Sequence, residues 1–292
     1  MTPANPRPPV VPAVRPLSPW GQGSYGAFGN RFCRSAALSA ITALLCLTTT
    51  PAAAQPTVMV DGLVATPGAH ALPSGARLFD AAHAAGVRPE AYLTGAAWLR
   101  RDELKPQRAL KVGLLFDLRV VEQGAFAEGD DALARLAGRL AAQVRAMPVT
   151  GRRPNTLDPV RLELEPRSNR PLAAGDRLIY PPRPATVTVT GAVEADCALP
   201  FVGLRPATAY VADCPRHAAA DRDWLYVVQP DGTALRRGVA GWNRDPVQPL
   251  APGARIVVPL RQALLEGRAE GLNDDLAAFL ATQPLPLGEG ER

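Results

Sequence analysis

Two segments of the chain alternate apolar and other residues with a period of two. Residues 58–64 (VMVDGLV) and 187–193 (VTVTGAV) share the pattern V-x-V-x-G-x-V. This alternation is typical of a β-strand with one buried face, and a glycine inside such a strand marks a bend or a bulge. We therefore predict an opening strand at each segment.

A second motif recurs in the same order. Residues 171–178 (PLAAGDRL) and 249–256 (PLAPGARI) share P-L-A-x-G-x-R followed by an aliphatic residue, and prolines follow at 181 and 259. Proline and glycine predict a turn, which leads into a short strand that the next proline ends. Two motifs repeated in one order indicate a duplicated unit.

The segments between the motifs predict one helix and one hairpin. Ser74 is a candidate cap for a helix that Gly86 ends, and Pro206 is the candidate start of the equivalent helix. Residues 224–229 and 233–239 flank a Pro-Asp-Gly turn and predict a β-hairpin. The order strand, helix, hairpin and closing strand is that of a β-grasp fold. We predict an α+β protein with two tandem β-grasp domains.

The two copies have unequal lengths. The motif glycines are 113 positions apart in the first copy and 62 in the second, which predicts a 51-residue insertion. We place the first domain at residues 55–184, with the insertion at about 102–148. The second domain covers residues 185–262, and a C-terminal helix and tail cover residues 263–292.

The insertion is predicted to be an antiparallel helical hairpin that packs on the first domain. Pro106 is the candidate start of its first helix, and after residues 124–129 Asp130 or Asp131 is the candidate cap of the second. The predicted apolar faces comprise Leu110, Leu114, Leu118 and Val121, then Leu133, Leu136, Ala137, Leu140 and Val144.

The C-terminal segment predicts a short amphipathic helix capped by Asn273 and ended by Pro284. Its apolar face comprises Leu272, Leu276, Phe279 and Leu280. A helix this short is marginal in isolation, so it must pack on something. Packing on its own domain is the simpler interpretation, and docking on a partner or a membrane is the alternative.

The N-terminus predicts export. Residues 31–34 (RFCR) carry two arginines, residues 35–47 form an apolar run, and three alanines end at Ala54. This is the pattern of a signal peptide cleaved after Ala54. The apolar run is shorter than the ~20 residues that span a bilayer, and Leu45 before Cys46 fits a lipoprotein signal poorly. Residues 1–54 are thus interpreted as leader and signal peptide, and the mature chain is predicted to be periplasmic, without a transmembrane segment.

Charge and motifs exclude several functions. The net charge is +5, but four arginines lie in residues 1–54, which leaves 28 basic and 27 acidic residues in the rest of the chain. A nearly neutral chain attracts phosphates weakly, so no nucleic-acid partner is predicted. The three histidines lack metal-ligand spacing, and no nucleophile elbow or phosphate loop is present after residue 54. We predict no catalytic residue, metal or cofactor.

Cysteines and aromatic residues supply the candidate site residues. Cys197 and Cys214 are the only cysteines after the predicted cleavage, and in an oxidising compartment they predict a disulfide. A tryptophan beside arginine can bind an acidic sugar by stacking and bidentate hydrogen bonds. Candidate contacts for a glycan or partner are Trp98, Arg100 and Arg101 before the insertion, and Trp242 and Arg244 in a loop. A structural role for Trp98 beside surface arginines is the simpler interpretation.

The duplicated unit resembles the SLBB-like β-grasp domains of bacterial polysaccharide export proteins. Residues 55–285 resemble the capsule biosynthesis GfcC family through the order of these features, the segment 197–202 (CALPFV) and the ending 272–284 (LNDDLAAFLATQP). The resemblance implies a periplasmic accessory factor in capsule or exopolysaccharide assembly and export. It would act without catalysis, by contacts with polysaccharide or export-machinery proteins. A polymer-modifying enzyme and a soluble relative of an export channel are the alternatives, and the oligomeric state stays open.

Overall fold

Ten strands form two five-stranded sheets in the computed structural model, which describes residues 57–288. The first sheet has the order β2-β1-β5-β3-β4. Its parallel pair is β1 with β5, and the other neighbours are antiparallel. The strands are β1 (Thr57–Gly62), β2 (Gly68–Ala71), β3 (Ala97–Leu99), β4 (Arg152–Arg153) and β5 (Arg177–Tyr180).

The second sheet repeats this arrangement. Its order is β7-β6-β10-β8-β9, and β6 with β10 is the parallel pair. The predicted hairpin is confirmed as β8 with β9. The strands are β6 (Thr186–Gly191), β7 (Cys197–Pro200), β8 (Trp224–Val228), β9 (Ala234–Gly238) and β10 (Arg255–Val258).

The register of the two parallel pairs is the same. Gly62 lies opposite Tyr180 and Gly191 lies opposite Val258. The residue after each glycine donates its N–H to the carbonyl of that partner, at 2.8 Å in both sheets. Both glycines have φ +96°, and a Cβ would lie 2.1 Å and 2.4 Å from the same carbonyl oxygens. The motif glycine is therefore required at one equivalent crossing in each sheet.

A short helix follows the first two strands of each sheet: α1 (Leu78–Ala85) and α5 (Ala207–Ala212). The predicted stop at Gly86 is confirmed, with φ +64°, and α5 follows Pro206 as predicted. The prediction that Ser74 caps α1 is wrong. Arg77 is the N-cap, and its N–H donates to the carboxylate of Asp80 at 2.7 Å. An acid in the first turn thus replaces the expected hydroxyl cap.

The inserted hairpin comprises α2 (Leu104–Ala127) and α3 (Asp131–Ala146), between β3 and β4 in the chain. The Asp130 side chain caps α3 by accepting the Leu133 N–H at 2.9 Å, as predicted. The prediction that α2 ends before Gly124 is wrong. A Cβ on Gly124 would lie 2.6 Å from the Arg268 guanidinium, so the missing side chain lets Arg268 pack against an unbroken helix.

The location of the hairpin differs from the prediction. We expected it on the first domain, but its apolar face shares one core with the second sheet and the C-terminal helix. Arg139 on α3 donates to the carbonyls of Val193 and Glu194 after β6. The first sheet has a separate core, already covered by α1 and by α4 (Pro159–Leu164). The apolar face of the first sheet is therefore already covered, and the hairpin packs on the second sheet.

The C-terminal helix α6 (Leu272–Ala281) packs on its own chain. The predicted apolar face is buried against α2, β8 and β9, with Leu272, Leu276, Phe279 and Leu280 all 4% exposed or less. Asn273 is not its cap, which is Gly271. The buried Asn273 amide instead bonds the N–H and carbonyl of Leu260, at 2.9 Å and 2.8 Å. The Asn273 side chain thus satisfies two buried backbone groups of Leu260 instead of capping the helix.

A buried arginine connects the first sheet to this core. Arg152 in β4 is 3% exposed and donates to the carbonyls of Pro230, Ala281 and Gln283. These carbonyls belong to the β8–β9 turn, to the last residue of α6 and to the segment that follows it. Burial lowers the pKa of Arg152 to about 10, which leaves the guanidinium charged at neutral pH. The side chain joins three elements through charge-assisted hydrogen bonds.

The predicted leader, signal peptide and cleavage after Ala54 lie outside the described residues. Among the helices of residues 57–288, none combines the length and the apolar character that crossing a bilayer requires.

Candidate functional site

The predicted pairing of Cys197 with Cys214 is present as a disulfide. Their Cα atoms are 6.0 Å apart, and 17 positions separate them in the chain. The bond ties the start of β7 to the second residue after the end of α5. Closing a loop of this length contributes about 3 kcal/mol to stability. It stabilises the side of the second sheet on which α5 packs.

Trp98 is part of the first core. It is 1% exposed, and its Nε1 donates to Asp176 at 3.0 Å. The Arg100 guanidinium covers the ring at 4.8 Å and pairs with Asp102 at 3.0 Å. A buried ring cannot stack on a sugar, so the structural interpretation of Trp98 is the one observed. Arg101 is exposed and packs beside a turn glycine of the first unit.

Trp242 lies at the surface of the second sheet. It is 72% exposed and meets Trp224 edge to face, with 6.2 Å between ring centroids. The guanidinium of Arg236 lies 4.0 Å from the centroid of the Trp224 ring. These three side chains form an aromatic surface on one face of the β8–β9 edge.

Arginines gather on the other face of the same edge. Arg236 and Arg237 are successive residues of β9, so their side chains point to opposite faces of the sheet. Arg237 lines a pocket of about 510 Å³ between the start of α5, β9 and the loop at residues 239–248. Arg216, Arg222 and Arg244 line it as well. We call this pocket, defined by Arg216, Arg222, Arg237 and Arg244, the arginine groove.

The positive charge of the arginine groove is poorly compensated. Arg237 approaches Asp245 at 4.0 Å and donates to Gln248. Within residues 57–288, the other three arginines of the groove have no carboxylate within 4.0 Å. Burial lowers the pKa of Arg216, and the neighbouring charge of Arg222 lowers it further, while the charge of Asp221 partly offsets both effects. The groove thus presents guanidinium groups that an anion can neutralise.

Hydrogen bonds hold the loop that completes the groove. The Asn243 side chain accepts from Ala240 N–H at 3.0 Å and donates to the Asp223 carbonyl at 3.1 Å. Asp245 accepts the N–H of Gly238 at 2.9 Å. A Cβ on Gly238 would lie 2.0 Å from the Asn243 carbonyl oxygen, so the loop crosses the strand end at contact distance. This fold-back places Arg244 in the groove and Trp242 beside Trp224.

The sequence prediction found part of this site. Trp242 and Arg244 are close in the chain, but Trp242 lies on the aromatic face of the β8–β9 edge and Arg244 lies in the arginine groove on the other face. Arg216, Arg222 and Arg237 were missed. The alternation of the predicted hairpin could have assigned Arg237 to one face, but the groove also needs the loop to fold back.

Other candidate chemistry is structural. His83 stacks on Phe79 at 5.8 Å, and the His217 ring accepts the N–H of Ala219 at 3.0 Å. In the described part of the chain, no three histidine, cysteine, aspartate or glutamate side chains are grouped to hold a metal ion. Asp274 of α6 has a structural partner, since Tyr226 donates its hydroxyl to it at 2.7 Å.

The protein is bipartite: it has two similar sheets, a helical hairpin inserted in the first unit and a closing helix. Comparison with family models shows the family to which a protein of this architecture belongs. Residues 60–183 match the model described as capsule biosynthesis GfcC, N-terminal, and residues 196–284 match capsule biosynthesis GfcC C-terminal. The chain belongs to the capsule biosynthesis GfcC family.

A curated relative supports this membership. The chain is similar to YjbG, an uncharacterized protein of Escherichia coli (strain K12). The two are 36% identical over 185 residues, which cover 63% of this chain and 74% of YjbG.

Proposed function

We propose that this protein is an exported, non-enzymatic accessory factor in capsule or exopolysaccharide assembly, and that it holds polysaccharide in the arginine groove. The observation that carries the proposal is a groove with three arginines that lack a carboxylate partner within residues 57–288. The GfcC family supplies the context, because its models are described as capsule biosynthesis. In a protein of surface-polysaccharide assembly, the polysaccharide itself is the natural ligand for such a groove.

The fold proposal is that each unit is an SLBB-like β-grasp domain, at residues 55–184 and 185–262. A parallel pair at the centre of each sheet and one helix after the first two strands support it. The periplasm is the proposed compartment. The pattern of residues 1–54 supports it, and so does the disulfide, since disulfides persist in oxidising compartments.

The proposal of a non-enzymatic role rests on the small number of carboxylates that line the groove. Asp245 is the one carboxylate among the residues that line the groove, and it is engaged by Arg237 and the Gly238 N–H. Glycosidases generally use two carboxylates on either side of the scissile bond. The lining of the groove therefore suits binding better than cleavage.

Contact with an export-machinery protein is a second candidate function. Val112, Phe116 and Phe126 on α2 are 65–72% exposed. Exposed apolar clusters often mark interaction sites. The hairpin would then contact protein while the arginine groove contacts polysaccharide.

Deletion of the gene tests the proposed function. We expect the strain to display clearly less surface and secreted polysaccharide, measured as uronic acid and total hexose per cell, with restoration by the wild-type gene. Unchanged polysaccharide in the deletion strain would contradict the proposal.

A further inference from the structure

We infer that the arginine groove selects acidic polysaccharides, and that it binds the carboxylates of uronate-type sugars. This inference rests on the proposed function and goes beyond it by naming the chemical class of the polymer. It predicts preference for a charged polymer over a neutral one of similar length.

The charge distribution favours a carboxylate ligand. Guanidinium groups bind carboxylates through two parallel hydrogen bonds, which gives geometric selectivity as well as strength. Arg222 and Arg244 are exposed, and neither has a side-chain hydrogen bond or ion pair in residues 57–288. Arg216 is half-buried and lies close enough to Arg222 for their charges to repel each other, so a carboxylate between the two guanidinium groups would relieve that repulsion. These three donors are free to bind an anion.

The rest of the lining favours a sugar as the carrier of that carboxylate. Val227, Val239, Pro246 and Val247 contribute apolar surface next to the arginines. A pyranose ring has an apolar face of C–H groups as well as polar edges, so it matches a lining of both kinds. The volume of about 510 Å³ lies within the ~300–1,000 Å³ typical of small-molecule sites.

The location of the groove suits a polymer. It lies along the edge strand β9, whose outer side has no neighbouring strand in the described sheet. Val247 is 71% exposed, so one wall of the groove faces solvent. A long chain can therefore enter and leave the groove at its open side, which an enclosed cavity would prevent.

The test measures binding of the full chain by calorimetry with four probes: polygalacturonate, neutral dextran, poly-glutamate, and vesicles containing phosphatidylglycerol. The groove variant carries Arg222→Gln and Arg244→Gln. The control carries Arg88→Gln and Arg167→Gln, which remove two exposed charges from the first unit. Circular dichroism and a melting curve establish that both variants fold.

We expect binding to polygalacturonate that weakens with added salt and that the groove variant reduces by about tenfold or more, since about 1.4 kcal/mol corresponds to tenfold. The control variant should bind as the wild type does. Equal binding to dextran that the groove variant weakens to the same extent would overturn the inference and leave the proposed function standing, because the groove would then hold polysaccharide without selecting for charge. Equal or tighter binding to poly-glutamate or to vesicles would also overturn it. Binding to no glycan would overturn both the inference and direct polysaccharide contact.

Discussion

Replacing Gly62 or Gly191 by alanine is expected to lower the free energy of unfolding by about 4 kcal/mol in each case. An alanine at φ +96° carries backbone strain of about 1–3 kcal/mol. Its Cβ would also lie within 2.4 Å of a carbonyl oxygen on the parallel partner strand, and overpacking costs about 1–3 kcal/mol more. Urea denaturation of the two variants measures the loss.

Gly68→Ala is the matched control for these variants. Gly68 has φ +119°, but a Cβ there would meet nothing within 4 Å, so this variant carries strain without the clash. We expect it to lose clearly less stability than the other two, which should lose similar amounts. A mild effect at one motif glycine and a severe effect at the other would contradict the equivalence of the two crossings.

Phe279→Ala is expected to destabilise the protein by about 3–5 kcal/mol, the range for removing a buried phenylalanine ring. Phe279 is 0% exposed in the core that α6 shares with the hairpin and the second sheet. A cavity there weakens the contacts of all three. Thermal and urea unfolding measure the effect.

Phe116→Ala supplies the control on α2. Its side chain is 65% exposed, so we expect a change within about 0.5 kcal/mol. If Phe279→Ala were as mild as Phe116→Ala, α6 would not be part of the core.

The strands and their repetition could be predicted because their signals are local. The opening motif places its valines and glycine within seven residues, and the closing motif runs from its first proline to its closing proline within eleven. The position of the hairpin could not be predicted in this way. Periodicity identifies the apolar face of Leu114 and Leu118, but the surface that buries it depends on which sheet face is still uncovered. α1 and α4 cover the first sheet, so the hairpin packs against the second core.

Helix starts show a second limit of sequence patterns. Serine and asparagine are good caps, but the same groups serve other backbone sites. Asn273 bonds Leu260 across the core, and α1 begins after Arg77 with Asp80 in place of Ser74. Asp130 caps α3 as predicted, because no other backbone group competes for its carboxylate among the described hydrogen bonds.

Only part of the candidate site could be predicted, because its residues are far apart in the chain. Arg216 and Arg237 meet only after β8 and β9 pair and the next loop folds back, which no short motif reports. Trp98 had the expected neighbours for sugar binding, but its central strand buries the ring. Proximity of tryptophan and arginine in sequence is thus a weaker signal than arginines without carboxylate partners gathered beside an edge strand.

Complementation of the deletion strain tests the role of the arginine groove in the cell most directly. The measurement is surface polysaccharide per cell, with protein level checked by immunoblot. We expect the variant with Arg222→Gln and Arg244→Gln to accumulate normally and to leave polysaccharide low. The control with Arg88→Gln and Arg167→Gln should restore it. Full restoration by the groove variant would contradict a function that depends on polysaccharide bound at these arginines.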